Sequence, residues 1–415
     1  MRNGYKKTEI GVIPLDWEVV KLVEVLDLMT DYVANGSFAS LRKNTTVFDN
    51  KEYAFYVRLF DLRRGLGHDS QKYVNKSTYN FLNKSFLVGN EILIANIGAN
   101  VGESFLMPII NTPATLAPNM IELKLNYKIM IPLFCFNYLK SHVGLSELDK
   151  VIEGSGQPKI NKTKLKTIKI PLPPLTQQKK IAKILSTTDN KIEAITKQIE
   201  KAEMVKKGLM QRLLSNESWE EIVLEKLLSF KNGVNASKEQ YGKGYKFINV
   251  LDIINNLTIK HNDIIGSVDI SEKDFELYKV KYGDILFQRS SETREEVGQS
   301  NVYLDKENFA VFGGFVIRGT AKEEYNPLFM NYLLKIPSIR KQITSKSGGS
   351  TRYNIGQNSL NQVLIPFPPL KEQKKISTIL TKADQKIEIL KAKKEQYQIL
   401  KTGLMQKLLT GEIGV

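Results

Sequence analysis

The sequence predicts an α+β protein built as two similar heads joined by a long antiparallel two-helix coiled coil, with pseudo-two-fold symmetry. Three observations predict it. The second half of the chain repeats the first at an offset of 195 residues. Each repeat ends in a run whose apolar residues step by four and three, the spacing of a helix seam. Each repeat begins with about 150 residues rich in β-branched and aromatic side chains and broken by turn signals.

The duplication is densest at the ends of the repeats. IPLPPLTQQKKIAKILSTTDNKIEAITKQIEKAEMVKKGLMQRLL from Ile170 and IPFPPLKEQKKISTILTKADQKIEILKAKKEQYQILKTGLMQKLL from Ile365 share 23 identities over 45 ungapped positions. Upstream at the same offset, GSGQPKINKTKL from Gly154 matches GSTRYNIGQNSL from Gly349. Looser pairs precede them: Trp17 with Trp219, YVRLFDL from Tyr56 with FINVLDI from Phe247, and GNEILI from Gly89 with GDILF from Gly283. Such periodicity is the mark of a repeated structural unit. It divides the chain into a first head (1–170), a first helix (171–215), a second head (216–365) and a second helix with a tail (366–415). The tail EIGV from Glu412 repeats EIGV from Glu9, which predicts that the beginning and the end of the chain lie close together.

Each helix is expected to start after a proline pair, Pro173 and Pro174 or Pro368 and Pro369, because proline is tolerated at a helix start and not within one. The first seam reads Ile181, Leu185, Thr188, Ile192, Ile195, Ile199 and Ala202. The second reads Ile376, Leu380, Ala383, Ile387, Leu390, Lys394 and Tyr397, with Lys394 interrupting the stripe. Only Ser215 to Ser218 separate the first helix from the second head, so equal units can pair their helices only antiparallel. The competing arrangement has each helix packed on its own head alone. Gly208 and Gly403 stand at equivalent places near the helix ends, where a close backbone approach, a bend or a helix break is expected.

The heads read as α+β: strand-like runs such as FLVGNEILIA from Phe86 dominate, with short helices at Pro132 to Ser141 and Pro327 to Lys335. At 415 residues the chain exceeds one ordinary core. Its 60 Lys and Arg against 44 Asp and Glu leave a net charge of +16, which favours a polyanionic partner, nucleic acid above all. No apolar run approaches the roughly 18 residues of a spanning helix, and the start MRNGYKKTEIGVIPLDW lacks the apolar core of a secretory signal. One cysteine, Cys135, excludes an internal disulfide framework and suits a reducing cytoplasm, where the protein is expected.

Catalytic signatures are missing. No GxxxxGK[ST] loop is present to cradle phosphates. His68, His142, His261 and Cys135 do not make a zinc set. NIGANVG from Asn96 has the wrong spacing for a dinucleotide turn, and PNMIELK from Pro118 faintly resembles a nuclease carboxylate pattern without its aspartate. Polar residues at loop positions suit DNA reading instead: Arg58, Arg63, Arg64, Asn96, Asn100, Gln157 and Lys159 in the first head, and Arg289, Ser290, Ser291, Arg294, Arg352 and Asn354 in the second. Arginine matches guanine, and Asn or Gln matches adenine, by paired hydrogen bonds in the major groove. Gln157 and Arg352 are equivalent in the repeat, so the two heads are expected to prefer different bases.

The two PxPPLxxQxxI segments at Pro171 and Pro366, the DxKIE cores at Asp189 and Asp384, the GLMQ[RK]LL ends at Gly208 and Gly403, and the opening IGVIPLDWEVVKL at Ile10 together resemble the specificity subunits of type I restriction-modification systems. The resemblance spans nearly the whole chain. It implies that the heads are target-recognition domains reading a bipartite, asymmetric site on double-stranded DNA. It implies further that the helices form a spacer docking two methyltransferase subunits, to which restriction (motor) subunits join, with no membrane involved. S-adenosylmethionine, ATP and Mg²⁺ are expected in those partners and none in this chain, which is expected to be non-catalytic by itself. The alternative reading is a stand-alone nuclease or a structural coiled-coil adaptor.

Overall fold

The computed structural model describes residues 4–415, which form two compact units. Unit 1 comprises the residues up to Ile195 together with Lys393–Val415, and unit 2 is Thr196–Ala392. The sequence-based division sets the helices apart as segments of their own. In the structure each long helix instead contributes one stretch to each unit.

In unit 1 the central strand Ile92–Ala95 is buried along its whole length, which is why it reads as an unbroken apolar run. It lies in a four-stranded antiparallel sheet ordered Ser104–Leu106, Ile92–Ala95, Met120–Leu125, Leu26–Asp31. A second, mixed sheet of five strands carries Ala54–Val57 parallel to Ala114–Leu116. Strand Glu18–Lys21 pairs with Lys169–Leu172, so an early strand and the last strand of this head are tied together immediately before the long helix. Helix Pro132–Leu139 begins on its proline, and Ser141 caps the next helix, His142–Asp149, by accepting from Gly144 N. The core gathers Trp17, Phe134 and Tyr138 with Ile181 and Leu185 of the first long helix and Leu408 and Leu409 of the second. The Tyr5 hydroxyl donates to the Gly411 carbonyl at 3.0 Å, which brings the two ends of the described chain together.

Unit 2 repeats this plan. Its antiparallel sheet runs Ser300–Val302, Ile285–Gln288, Val316–Ala321, Leu228–Asn232, the same order as in unit 1. A smaller sheet holds Tyr241–Ile248 parallel to Val311–Phe312. Glu221–Val223 pairs with Leu364–Pro366, and helices Pro327–Leu333 and Pro337–Ser345 follow the sheet. Phe287, Phe329 and Leu214 share a core with Ile376 and Leu380.

The long helices are Leu175–Leu213 and Leu370–Leu409, each starting one residue after its proline pair. Nine seam residues, Ile181, Leu185, Thr188, Ile195, Ile199, Ile376, Leu380, Ile387 and Leu390, are buried. Ile192, Tyr397 and Lys394 are half-buried. Within unit 1, Lys401 meets Asp189 at 2.5 Å while Leu408 and Leu409 join Ile181 and Leu185. Numbers rise along one segment as they fall along the other, so the two segments run antiparallel there. Unit 2 has the same relation, with Lys206 on Asp384 at 2.5 Å and Leu214 beside Ile376 and Leu380.

The glycine expectation is corrected. Both helices continue through Gly208 and Gly403, so neither breaks there. A Cβ at either position would meet nothing within 4 Å, so no backbone approaches closely among the described residues.

Candidate nucleic-acid interface

Three short segments converge at one end of the unit 1 sheet. The first is the loop that leaves Ile92–Ala95, beginning at Asn96. The second is the hairpin of Ile152–Glu153 and Lys159–Ile160. The third is the Pro118–Asn119 corner, in which Asn119 takes φ 71° ahead of strand Met120–Leu125. Backbone bonds tie them: Ile160 N donates to Asn96 O at 2.9 Å, Gly98 N to Pro158 O at 2.9 Å, and Asn96 N to Asn119 O at 3.1 Å. The hairpin turn is tight because Gly154 has φ +92°, where a Cβ would sit 3.1 Å from the Gln157 carbonyl oxygen.

Unit 2 builds the same junction with different side chains. Ser290–Ser291 pairs with Tyr353–Asn354. Ile355 N donates to Arg289 O at 3.0 Å, and Arg289 N donates to Phe315 O at 2.8 Å. Gly349, with φ +121°, leaves only 2.1 Å between a Cβ and the Arg352 carbonyl oxygen. The two bonds common to both units set Asn96 against Arg289 and Asn119 against Phe315, and the 195-residue repeat sets Gln157 against Arg352 and Lys159 against Asn354.

The residues singled out from sequence divide by what their side chains touch. Asn100, Gln157 and Lys159 are exposed around the unit 1 junction. Asn96 is half-buried, with Oδ1 lacking a hydrogen-bond partner among the described residues. Arg58 caps helix Leu59–Arg64: its guanidinium holds the buried Asp61 at 2.7 and 3.0 Å and donates to the Ser70 carbonyl at 2.7 Å. The Asp61 bonds push the Arg58 guanidinium above its ordinary value. Arg63 pairs with Glu103, whose N–H donates to Asn100 O at 3.1 Å, so this helix reaches the loop. Arg64 is exposed, 5.3 Å from the Phe60 ring centre.

In unit 2, Arg352 and Asn354 are exposed, and Ser290 bonds to the Asn354 amide oxygen. Arg289 Nη1 donates to Gly314 O at 3.2 Å. Ser291 is buried and donates to Glu296 at 3.1 Å. Arg294 Nε donates to Thr344 O at 3.3 Å.

Sequence reasoning passed over Asn119 and Phe315. The repeat offset of 195 residues does not carry over to this strand, whose register equates Met120 with Val316, an offset of 196. The available signal was the strand pattern itself, since Met120 and Ile121 stand in an apolar run as Val316 and Ile317 do. Glu122 in this strand is fully buried with Lys124 Nζ at 3.1 Å, and burial pushes its carboxyl up to about 7. The strand register equates it with Arg318. Among the described residues no group of three or more His, Cys, Asp or Glu could hold a metal ion, and no helix is long and apolar enough to cross a membrane.

The architecture and sequence have relatives. The family model described as "Type I restriction modification DNA specificity domain" matches twice, over residues 14–204 and 216–398. The putative type I restriction enzyme MjaX specificity subunit of Methanocaldococcus jannaschii is 31% identical over 453 aligned positions, covering 100% of this chain and 97% of the relative. The MjaVIII specificity subunit of the same organism is 29% identical over 432, covering 97% and 94%. In fold, the crystal structure of a type I restriction-modification S subunit from M. genitalium superposes with a TM-score of 0.58 at 16% identity, covering 98% of this chain and 97% of that one. With both heads matched and a relative aligned end to end, the chain belongs to the type I restriction-modification DNA specificity family.

Proposed function

We propose that this chain is the DNA-sequence-recognition subunit of a type I restriction-modification complex, in which each head reads one half of a bipartite, asymmetric site. One observation carries the reading. The same backbone junction occurs in both units, yet its outward positions differ: Gln157 against Arg352, Lys159 against Asn354, Asn119 against Phe315. A fixed frame with exchanged side chains suits two readers of unlike sequences. The net charge of +16 supplies the sequence-independent attraction to phosphates.

The antiparallel helix stretches inside each unit, with their buried seam residues, support a continuous antiparallel coiled coil of pseudo-two-fold symmetry as the spacer. Two equivalent clefts support seats for two methyltransferase subunits. One in unit 2, of about 580 Å³, is lined by Met210, Gln211 and Ile336. One in unit 1, of about 530 Å³, is lined by the counterparts Met405, Gln406 and Ser141. Methyl transfer and ATP-dependent cleavage then belong to the methyltransferase and restriction subunits, together with S-adenosylmethionine, ATP and Mg²⁺. The complex works in the cytoplasm, where its DNA is.

The test is a head exchange in the assembled complex, read by mapping methylated adenines across the genome. Replacing residues 1–165 with the first head of another family member changes one half of the methylated motif and leaves the other intact. A change in both halves, or in neither, defeats the reading. Binding also weakens with salt: for 6–10 neutralised phosphates, log K falls against log[salt] with a slope of roughly −5 to −9.

A further inference from the structure

Phe315 is an aromatic side chain 61% exposed on a corner that cannot move easily. The corner is fixed from several sides. Arg289 binds it twice, through its N–H to Phe315 O at 2.8 Å and through Nη1 to Gly314 O at 3.2 Å. Gly313 N donates to Ile248 O at 3.0 Å, and Val316 N donates back to Gly313 O at 2.8 Å. Both glycines are closely covered: a Cβ on Gly314 would lie 1.9 Å from Asn235 Oδ1, and one on Gly313 would lie 2.7 Å from the Phe247 ring. A phenyl ring is thus held outward on rigid backbone beside Arg289, whose own carbonyl accepts from Ile355 N of the segment that carries Arg352. It borders a cleft of about 370 Å³ whose walls include Tyr241, Phe247 and Val250.

At the equivalent corner of unit 1 stands Asn119, also exposed. One frame therefore offers an amide in one head and an aromatic ring in the other. In the major groove the one apolar feature on a base edge is the thymine 5-methyl group, which aromatic and aliphatic side chains recognise by contact.

We propose that Phe315 is a specificity-determining residue of the second head and packs its ring against the 5-methyl of a thymine in the half-site which that head reads. This rests on the reading above that the junction faces DNA. It adds the residue, the base and the chemical group. Covering one methyl is worth roughly fourfold in affinity, from the transfer free energy of one buried carbon group.

The experiment uses the chain assembled with its methyltransferase subunits. The methylated motif is mapped first, and duplexes are then made in which each thymine of the second half-site is replaced singly by deoxyuridine, which removes only the methyl. One replacement weakens binding by the wild-type complex about fourfold. The Phe315→Asn complex is indifferent to that same replacement and tolerates other bases at that pair. Phe315→Leu, which keeps an apolar side chain, retains part of the discrimination and controls for folding. A half-site without thymine, a wild type indifferent to every replacement, or a Phe315→Asn complex as sensitive as wild type overturns the inference. Arg352→Ala separates the two levels. If it alters the second half-site while Phe315→Asn changes nothing, the junction reads DNA and the Phe315 assignment is wrong. If neither alters any part of the motif, both the assignment and the reading beneath it fall.

Discussion

Lys206 Nζ lies 2.5 Å from Asp384 Oδ1 in unit 2, and Lys401 Nζ lies 2.5 Å from Asp189 Oδ1 in unit 1, at positions related by the 195-residue repeat. The surroundings differ. The Asp384 side chain is 13% exposed and also accepts from the Tyr332 hydroxyl at 2.7 Å, whereas the Asp189 side chain is 42% exposed. Breaking an enclosed, hydrogen-bonded pair leaves a charge poorly solvated, while an exposed pair is largely screened. Asp384→Asn is expected to destabilise its unit by about 1–3 kcal/mol, and Asp189→Asn by less than about 1 kcal/mol. Urea unfolding of the full chain checks the ranking, and equal losses would contradict it.

The buried amides of Gln178 and Gln373 fasten the long helices to the heads. Gln178 Oε1 accepts from Ile131 N at 2.8 Å, and its Nε2 donates to Pro173 O at 2.8 Å and Ile129 O at 3.0 Å. Gln373 Oε1 accepts from Asn326 N at 2.9 Å, and its Nε2 donates to Pro368 O at 2.8 Å. Each amide thereby ties the proline turn at a helix start to the turn that opens Pro132–Leu139 or Pro327–Leu333. Gln373→Leu fits the volume but orphans a buried N–H and a buried carbonyl, and a loss of about 2–4 kcal/mol is expected. A Leu variant as stable as wild type in thermal unfolding would remove the anchoring role.

What the sequence displays and what it conceals follow from the range of the forces. The two Gln residues, the proline pairs and the seam lie in one ungapped repeat, so helix starts and buried positions such as Leu185 and Leu380 are legible locally. Arg58 is also a local case, because Asp61 three residues on makes a cap that takes up its guanidinium. The junction is not local. Asn96 and Ile160 meet through a bond between residues 64 apart, and no pattern within either segment announces it. The heads also differ in loop lengths, so an offset that is correct at Gln157 and Arg352 misplaces Asn119 and Phe315.

Glu122 predicts a pH dependence confined to unit 1. Burial raises its carboxyl from 4.5 to about 7, against the pull of Lys124. A raised folded-state value means the folded unit holds this proton more tightly than the unfolded chain. The stabilisation is therefore complete below about pH 4.5 and is lost as pH rises through about 7. Unit 1 is expected to lose up to about 3 kcal/mol between pH 4.5 and pH 8 from this group, and Glu122→Gln abolishes that part of the slope. Trp17 belongs to unit 1 and Trp219 to unit 2, so fluorescence of a Trp219→Phe background follows unit 1 alone. A slope unchanged by Glu122→Gln would refute the assignment.

Gly208 and Gly403 lie inside uninterrupted helices with open space where a Cβ would go. Glycine there costs about 1 kcal/mol against alanine, and no contact among the described residues repays it. Gly208→Ala and Gly403→Ala are therefore each expected to stabilise the isolated chain by about 0.5–1 kcal/mol, seen as a higher unfolding midpoint. A glycine retained at a cost on an open helix face is accounted for if another backbone lies against it. Under the proposed function that backbone belongs to a methyltransferase subunit, so the doubly substituted chain, though more stable alone, assembles less tightly with that subunit in a titration. Undiminished assembly would show that the partner does not use these faces, and an unstabilised chain would show that the helices already exclude a methyl group at these places.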